Sequence, residues 1–572
     1  MKSAVRDSLI PQEALSRLLR YPLLLRQLLL ARGITTDEEA EIFLNPDYER
    51  DLHDPFLMKD MERAVVRVLG AMRAGEKIAV WSDYDCDGIP GGVLLHDFFK
   101  KVGYANFVNY IPHRHEEGYG LNREAVEELA AGGATLMLTV DCGTSDAESI
   151  ARAGELGVDV IVTDHHLPHQ DSAGAEALPP AYAFLNPHRE GETYPFADLC
   201  GAGVAFKLVQ GLIARGNFNL PAGWEKWLLD MAGLATLADR VPLCGENRAL
   251  AHFGLVVLRK SPRLGLQKLF RLMRVNQREL TEDDVGFMLV PRINAASRMD
   301  VPMDAFRLLT TDNETTADEL ARHLTRLNDE RKGVVASMVK DIRKRLAMRE
   351  MRSVIVMGDP RWKPSLLGLA ANTLAEEYER PVFLWGREAN LVVKGSCRSD
   401  GSVNVVELMR SRSELFVQFG GHRFAGGFSL VEEQVFVLEE RLAEALIKLP
   451  RAPAEPAEVF GELSLEEVNW DTYRQIAALA PFGEGNPKPA FLLRRLTVAE
   501  VRQFGKRGEH LELRFRRTDG SATAAIAFFA TPEDFGVELS QGALDLTATL
   551  ERSTFRAAPE LRLRIVDIRA CS

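Results

Sequence analysis

The chain is poor in cysteine, in long apolar runs and in net positive charge. Its six cysteines (Cys86, Cys142, Cys200, Cys244, Cys397 and Cys571) are scattered over 572 residues without paired spacing. That argues against a disulfide scaffold and against zinc, and it points to a reducing, cytoplasmic setting. No apolar run is long enough to span a bilayer. Leu23 to Leu30 is interrupted by Arg26 and flanked by Arg20 and Arg32, so it reads as an amphipathic helix rather than a signal peptide, and no membrane partner is expected. With a formal charge of −12, global attraction to a phosphate backbone is excluded, and any nucleic-acid contact must come from local positive charge. Arg322, Arg326, Arg331, Lys332, Lys340, Arg343, Lys344 and Arg345 crowd one helical segment; a second basic group runs from Arg494 to Arg517. For the helix, a solvated face is as good a reading as a DNA contact.

Carboxylates stand out against this background. Asp83, Asp85 and Asp87 alternate directly after Lys77-Ile78-Ala79-Val80, a short apolar segment that reads as a buried strand. Alternate strand residues share a side, so the three can converge on one point. Like charges that close repel unless a cation neutralises them, and an oxygen-only cluster suits Mg²⁺ or Mn²⁺; a solvated acidic turn is the alternative. Further apolar segments end in Asp141-Cys142-Gly143, in Asp164-His165-His166 and in Asp239. Each reads as a strand, and helices are expected over Gly91–Val102, Arg123–Ala131 and Ala147–Leu156. Alternating strand and helix implies a parallel sheet, whose ligands bind outside the carboxyl ends of the strands. A lone Asp there is usually a helix cap; four such positions and a paired His are hard to explain by capping.

A chain of 572 residues, 46% of them hydrophobic, is too long for one core. Residues 1–51 read as a helical cap on the first domain, 52–310 as the metal-binding α/β domain and 311–350 as a connecting helix. Residues 351–448 read as a smaller α/β domain. Leu449 to Pro456 is a Pro-rich linker. Residues 457–572 carry closely spaced strands over His510–Phe515, Ala522–Phe529, Ala543–Leu550 and Glu560–Ile568, which suggest an all-β barrel. In the second α/β domain, Lys394 to Ser399 reads as a small-residue loop whose amides and Arg398 can grip an anion.

These motifs, in this order, resemble the DHH phosphoesterases and, within them, the RecJ-type single-strand-specific 5′→3′ DNA exonucleases. The resemblance rests on Asp83-Tyr84-Asp85-Cys86-Asp87-Gly88, Thr139-Val140-Asp141-Cys142-Gly143, Asp164-His165-His166 and Ala238-Asp239. Phe43 to Pro46, Leu52 to Phe56, Pro112 to Leu121, Val241 to Arg248, Pro291 to Arg298, Gly420-Gly421-His422 and Pro481 to Pro487 complete the series. Departures are Trp81, where many members of the superfamily carry a His, Ile89-Pro90-Gly91-Gly92 after the first motif, Lys363, Ser297 and Arg423-Phe424.

The resemblance implies a DHH domain joined by a long helix to a DHHA1 domain, followed by an OB-fold. It implies two divalent cations, Mn²⁺ or Mg²⁺, on Asp85, Asp87, Asp141, His165 and Asp239, with Asp83 as a further candidate. Asp141 would bridge the ions, and His166 would face the scissile phosphate in a two-metal hydrolysis. Arg114, Arg298, Ser396 and Arg398 would seat the terminal 5′-phosphate, and Gly420, Gly421 and His422 would let the DNA backbone approach. Phe504 and Phe555 are stacking candidates on the barrel. The implied partners are single-stranded DNA with a 5′ end, single-strand-binding protein and a RecQ-type helicase, in recombination and repair. A DHH phosphoesterase acting on small phosphate substrates and a non-catalytic DNA-binding scaffold are the competing readings; the long helix and barrel speak against the first, the retained Asp and His set against the second.

Overall fold

The computed structural model describes residues 16–170, 174–387, 393–450, 459–505, 508, 510–537, 539, 542–553 and 559–571. Residues 451–456 of the Pro-rich linker and Phe555 lie outside these. The chain divides into two compact units, one of residues 52–454 and one that combines 1–51 with 455–572.

In the larger unit, five parallel strands stand in the order Phe107–Tyr110, Lys77–Ser82, Ala134–Val140, Asp159–Thr163 and Ala183–Leu185. The chain leaves the Lys77 strand towards one edge and then crosses back to build the other. The strand order therefore reverses between the first and third strands, where a doubly wound sheet opens its binding crevice. Both faces are covered, which is why these strands are near-continuous apolar runs. The helices Arg123–Ala131 and Ala147–Glu155 shield one face, and Gly88–Lys101 and Gly201–Gly216 the other. The last two approach closely because Gly91 faces Ala202, its would-be Cβ only 3.1 Å from the Ala202 Cα.

A helix of 33 residues, Glu314–Leu346, leads to the second sheet. Half of the eight Lys and Arg on it are paired with carboxylates: Arg322 with Asp318, Arg326 with Glu330, Arg343 with Glu377, and Arg345 with Asp341 and Asp359. These pairs favour the solvated-face reading for that group. The second sheet runs Gln418–His422, Ala425–Leu430, Val393–Arg398, Val382–Arg387 and Ile355–Gly358; only the last pair is parallel.

In the smaller unit, the strand Ala490–Phe504 pairs with both His510–Arg516 and Ala543–Ser553. The strand Ala522–Phe528 pairs antiparallel to the second and parallel to Glu560–Ala570, which returns to Ala543–Ser553. This closed 1-2-3-5-4-1 circuit is the OB topology. The expected placement of residues 1–51 as a cap on the metal-binding domain is corrected here. Leu25, Leu28, Leu29 and Ala40 share one core with Phe491, Leu513 and Leu546 of the barrel. Arg32 donates to Asn486 Oδ1 (2.8 Å) and to Pro487 O (2.8 Å), so the Pro481–Pro487 motif serves to dock the N-terminal helices. An amphipathic helix shows that it must bury a face, not against which domain.

Candidate metal centre

The carboxyl edge of the first sheet assembles the site by repeating one step. Just past each strand, one more amide pairs with the neighbouring strand: Asp83 donates to Val140 O (3.0 Å), Asp141 to Thr163 O (2.9 Å) and Asp164 to Leu185 O (3.1 Å). Three aspartates are thereby set side by side at the switch point. Asp141 holds a left-handed φ of +61°, a conformation Asp tolerates better than most residues and one that clusters at functional sites.

Strand alternation does not bring Asp83, Asp85 and Asp87 together. The strand ends at Ser82, and the three lie in the turn before the helix Gly88–Lys101. Asp85 Oδ1 accepts from the amides of Asp87 (2.8 Å) and Gly88 (3.3 Å), closing an Asx-type turn. A Cβ on Gly88 would lie 2.5 Å from the Asp83 carbonyl oxygen, so the turn needs glycine there. Asp87 accepts from the amides of Gly201 and Ala202 (2.7 Å each), two orphan donors at a helix N-terminus. Asp239 is likewise not strand-borne; it ends the helix Leu229–Ala238, whose buried apolar run cannot be told from a strand by periodicity.

Three overlapping groups offer ligand atoms within 4.8 Å of one another: Asp83, Asp85 and Asp141; Asp87, His165 and Asp239; Asp141, His165 and His166. His165 Nε2 lies 3.3 Å from Asp141 Oδ1, 3.6 Å from Asp239 Oδ2 and 3.7 Å from Asp87 Oδ2. Burial and mutual repulsion raise the carboxyl pKa values, Asp87 to about 6 and Asp239 to about 9, with Asp83 and Asp141 held well above the usual range. Burial and the neighbouring His166 depress His165 to about 4, so it is a neutral donor at neutral pH. Asp83 Oδ1 and Asp141 Oδ1 are buried and accept no hydrogen bond. Orphaned carboxylate oxygens beside a neutral imidazole fit divalent cations with oxygen-rich ligation.

Asp164 belongs to none of these groups. Its Oδ1 accepts from the amides of His165 (2.7 Å) and His166 (3.2 Å) and from His166 Nδ1 (2.8 Å), and Oδ2 accepts from the Thr144 amide (3.0 Å). Burial works to raise its pKa, but these bonds outweigh it and hold the carboxyl well below the usual range. Burial also opposes charging of His166, yet its bond to Asp164 lifts its pKa to about 9. Trp81, at the place of the superfamily's His, is fully buried in the core and stacks on Tyr110, ring centroids 4.4 Å apart; it contributes packing and no ligand.

Facing the acidic edge is a set of guanidinium groups. Arg114 lies over the Tyr84 ring at 4.6 Å. Arg298 donates to Ser365 O (2.7 Å), and the Ser365 hydroxyl donates back to Arg298 O (3.0 Å). Burial and the like charges of Arg114, Arg331 and Arg398 pull the Arg298 pKa down to about 9, with Asp85 pulling the other way. Ser396 and Arg398 are not in a loop: they lie on the strand Val393–Arg398, where Arg398 donates to Ser396 Oγ (3.0 Å) and to Cys397 O (2.7 Å). Glycine is needed on the strand at Gly395, where a Cβ would collide with the Phe428 ring, and on the adjacent helix at Gly368, where a Cβ would lie 2.7 Å from Arg398 and 3.0 Å from Ser396. Gly420, Gly421 and His422 are exposed on the sheet's edge strand. Sequence reasoning missed Tyr119, which contacts both Asp141 and His166, and the Gly201 and Ala202 amides. Tyr119 carried a local signal in its Gly-Tyr-Gly setting, and Arg331, read from the sequence as one cation of the basic helical segment, lies near enough to lower the Arg298 pKa.

The Gly201 contact gives a sharp test. A Cβ there would lie 2.6 Å from the Asp141 Cβ and 2.8 Å from its Cα. Gly201→Ala must displace either Asp141 or the helix end that orients Asp87. Mn²⁺ affinity by calorimetry should fall about 10–100-fold, with the far-ultraviolet circular dichroism unchanged.

Carboxylates and a neutral imidazole at the switch point of a doubly wound sheet, faced by arginines, define a metal-dependent phosphoesterase centre. The model of the DHH family N-terminal domain matches residues 77–236, that of the DHHA1 domain 351–449 and that of the RecJ OB domain 461–567. The single-stranded-DNA-specific exonuclease RecJ of Haemophilus influenzae is 30% identical over 559 residues, covering 95% of this chain and 95% of that protein. The Bacillus subtilis RecJ is 35% identical over 511 residues, 88% of this chain but 63% of its own length. Crystal structures of Thermus thermophilus RecJ with Mn²⁺ and with Mg²⁺ superpose over 98% of this chain, with TM-scores of 0.81 and 0.75 at 29% and 27% identity. The chain belongs to the RecJ family of DHH-domain exonucleases.

Proposed function

We propose that this chain degrades single-stranded DNA from its 5′ end, releasing 5′-mononucleotides with Mn²⁺ or Mg²⁺. The observation that carries the reading is the juxtaposition of an acidic edge, on which Asp83 Oδ1 and Asp141 Oδ1 accept no hydrogen bond, with Arg114, Arg298 and Arg398, which form no ion pair among the described residues. Burial together with the neighbouring guanidinium groups lowers the pKa of Arg298, and burial together with the neighbouring carboxylates raises those of Asp141 and Asp239. A phosphodiester and its cations relieve both. Asp83, Asp85, Asp87, Asp141, His165 and Asp239 would hold two divalent ions, which when bound supply a water of lowered pKa and neutralise the phosphate. His166 is an imidazolium at neutral pH, and with Nδ1 spent on Asp164 it offers Nε2–H to a phosphoryl oxygen. Arg114, Arg298, Ser396 and Arg398 would receive the terminal phosphate, so that the first linkage reaches the acidic edge. At Gly421, φ is +138° and a side chain would collide with Ala425 and Gly426; a bare backbone is left for the strand to pass. On the barrel, Phe504, His510, Phe528 and the exposed Phe529 cluster, with the Arg564 guanidinium 4.2 Å from the Phe528 ring; stacking of bases there would add affinity.

The test compares wild type and Arg398→Ala on end-labelled strands with a 5′-phosphate or a 5′-hydroxyl, in Mn²⁺, Mg²⁺ and EDTA. A charge-assisted phosphate contact is worth roughly 1.5–3 kcal/mol, or about one to two orders of magnitude in kcat/KM. That loss should fall on the 5′-phosphorylated strand and leave the hydroxyl strand nearly unchanged, and EDTA should abolish all cleavage. Equal losses on both ends would give Arg398 a general or structural role and remove the argument for a 5′-phosphate pocket.

A further inference from the structure

We infer that Tyr119 is a positioning residue that locks the His166 imidazole against the backbone of Asp141. The inference rests on the reading of His166 as the group facing the phosphate. The Tyr119 hydroxyl donates to Asp141 O at 3.1 Å and lies 3.2 Å from His166 Nδ1. Its single proton is committed to the carbonyl, so its oxygen can only accept from His166. Nδ1 is therefore protonated, and its N–H is shared between Asp164 Oδ1 at 2.8 Å and the Tyr119 oxygen. Two acceptors at one ring nitrogen fix the tautomer and restrict ring rotation, leaving Nε2 as the only nitrogen for substrate. The rings also meet edge to face, with centroids 5.6 Å apart.

The local backbone exists to deliver this side chain. Gly118 and Gly120 flank Tyr119 with φ of +87° and +82°, and a Cβ on Gly120 would collide with the Asp146 carboxylate. The Asp141 carbonyl belongs to the residue in left-handed conformation, off the strand ladder, and the tyrosine hydroxyl donates to it. The contact thus ties the residue proposed to bridge the cations to the imidazole proposed to face the phosphate, through one hydroxyl.

Tyr119→Phe, His166→Ala and the double variant test this with Mn²⁺ at saturation. Removing one hydrogen bond to the imidazole should lower kcat about tenfold, with KM and calorimetric Mn²⁺ affinity unchanged. In the His166→Ala background the same change should cost nothing further, because the group it positions is gone. Full additivity, or a loss of Mn²⁺ affinity in Tyr119→Phe, would overturn the inference, since the hydroxyl would then act through Asp141 or the fold. An unchanged kcat in Tyr119→Phe would overturn it as well. If His166→Ala alone were fully active, the functional reading of His166 would fail and this inference with it, a result distinct from either of the others.

Discussion

Asp141→Asn should abolish Mn²⁺-dependent digestion of single strands while leaving the protein folded. Loss of a partner that merely orients a metal ligand typically costs about 10–100-fold, so loss of a carboxylate common to two of the three overlapping ligand groups at the sheet edge should cost more than about a hundredfold. Asn is the informative replacement because it tolerates the left-handed φ of +61°, which Ala would adopt at a penalty. The metal-free variant should also gain stability at alkaline pH. In wild type, burial and repulsion raise the pKa of Asp87 to about 6 and of Asp239 to about 9. The folded chain therefore holds protons that the unfolded chain has released, and its stability drops as pH rises from the ordinary carboxylate range through about 9. Asp141 is itself held well above the usual range, so the variant loses one of these proton-holding groups, and the fall in Tm between pH 6 and pH 9 should be shallower. Mn²⁺ should flatten it in wild type by binding only the folded state. A folded Asp141→Asn protein that retained Mn²⁺-dependent nuclease activity would sink the ligand assignment.

The parallel sheet and the acidic edge were legible because they depend on local patterns: apolar runs ending in Asp141, Asp164 and the Asp83–Asp87 segment, spaced by helices. What failed depended on tertiary context. Asp239 sits after a run apolar on every side, and only the surrounding helices decide that it is helical. Lys394 to Ser399 looks like a turn because its residues are small, yet they are small because Phe428 and the Gly368 helix pack against that strand; a Cβ on Gly395 would collide with the Phe428 ring. The long strand Ala490–Phe504 escaped notice because its register shifts between Leu493 and Leu496. A bulge at Arg494 and Arg495 breaks the alternation by which strands are recognised. Tyr119 stood in plain view within Gly118-Tyr119-Gly120, but nothing local says that a tyrosine will reach across to His166.

His166→Ala should lose about 10²–10³ in kcat, the usual size for a donor to developing transition-state charge, with Mn²⁺ binding retained. The geometry separates the two neighbouring imidazoles by role. His165 Nε2 points among three carboxylates at 3.3–3.7 Å and is neutral at physiological pH because burial and His166 depress it to about 4. His166 spends Nδ1 on Asp164, which offsets its burial and lifts it to about 9, and its side chain keeps 37% of its exposure. A protonated, half-exposed ring with one nitrogen anchored is suited to donate to substrate and unsuited to bind a cation. The competing role is specific: His166 Nδ1 lies 3.8 Å from Asp141 Oδ1, close enough to join Asp141 and His165 around an ion if it left Asp164. Calorimetry decides between them. Mn²⁺ affinity unchanged within about threefold, beside a 10²–10³-fold loss of rate, fits the donor. An affinity that collapses together with the rate would make His166 a ligand and would move the substrate-facing role to the arginines across the cleft.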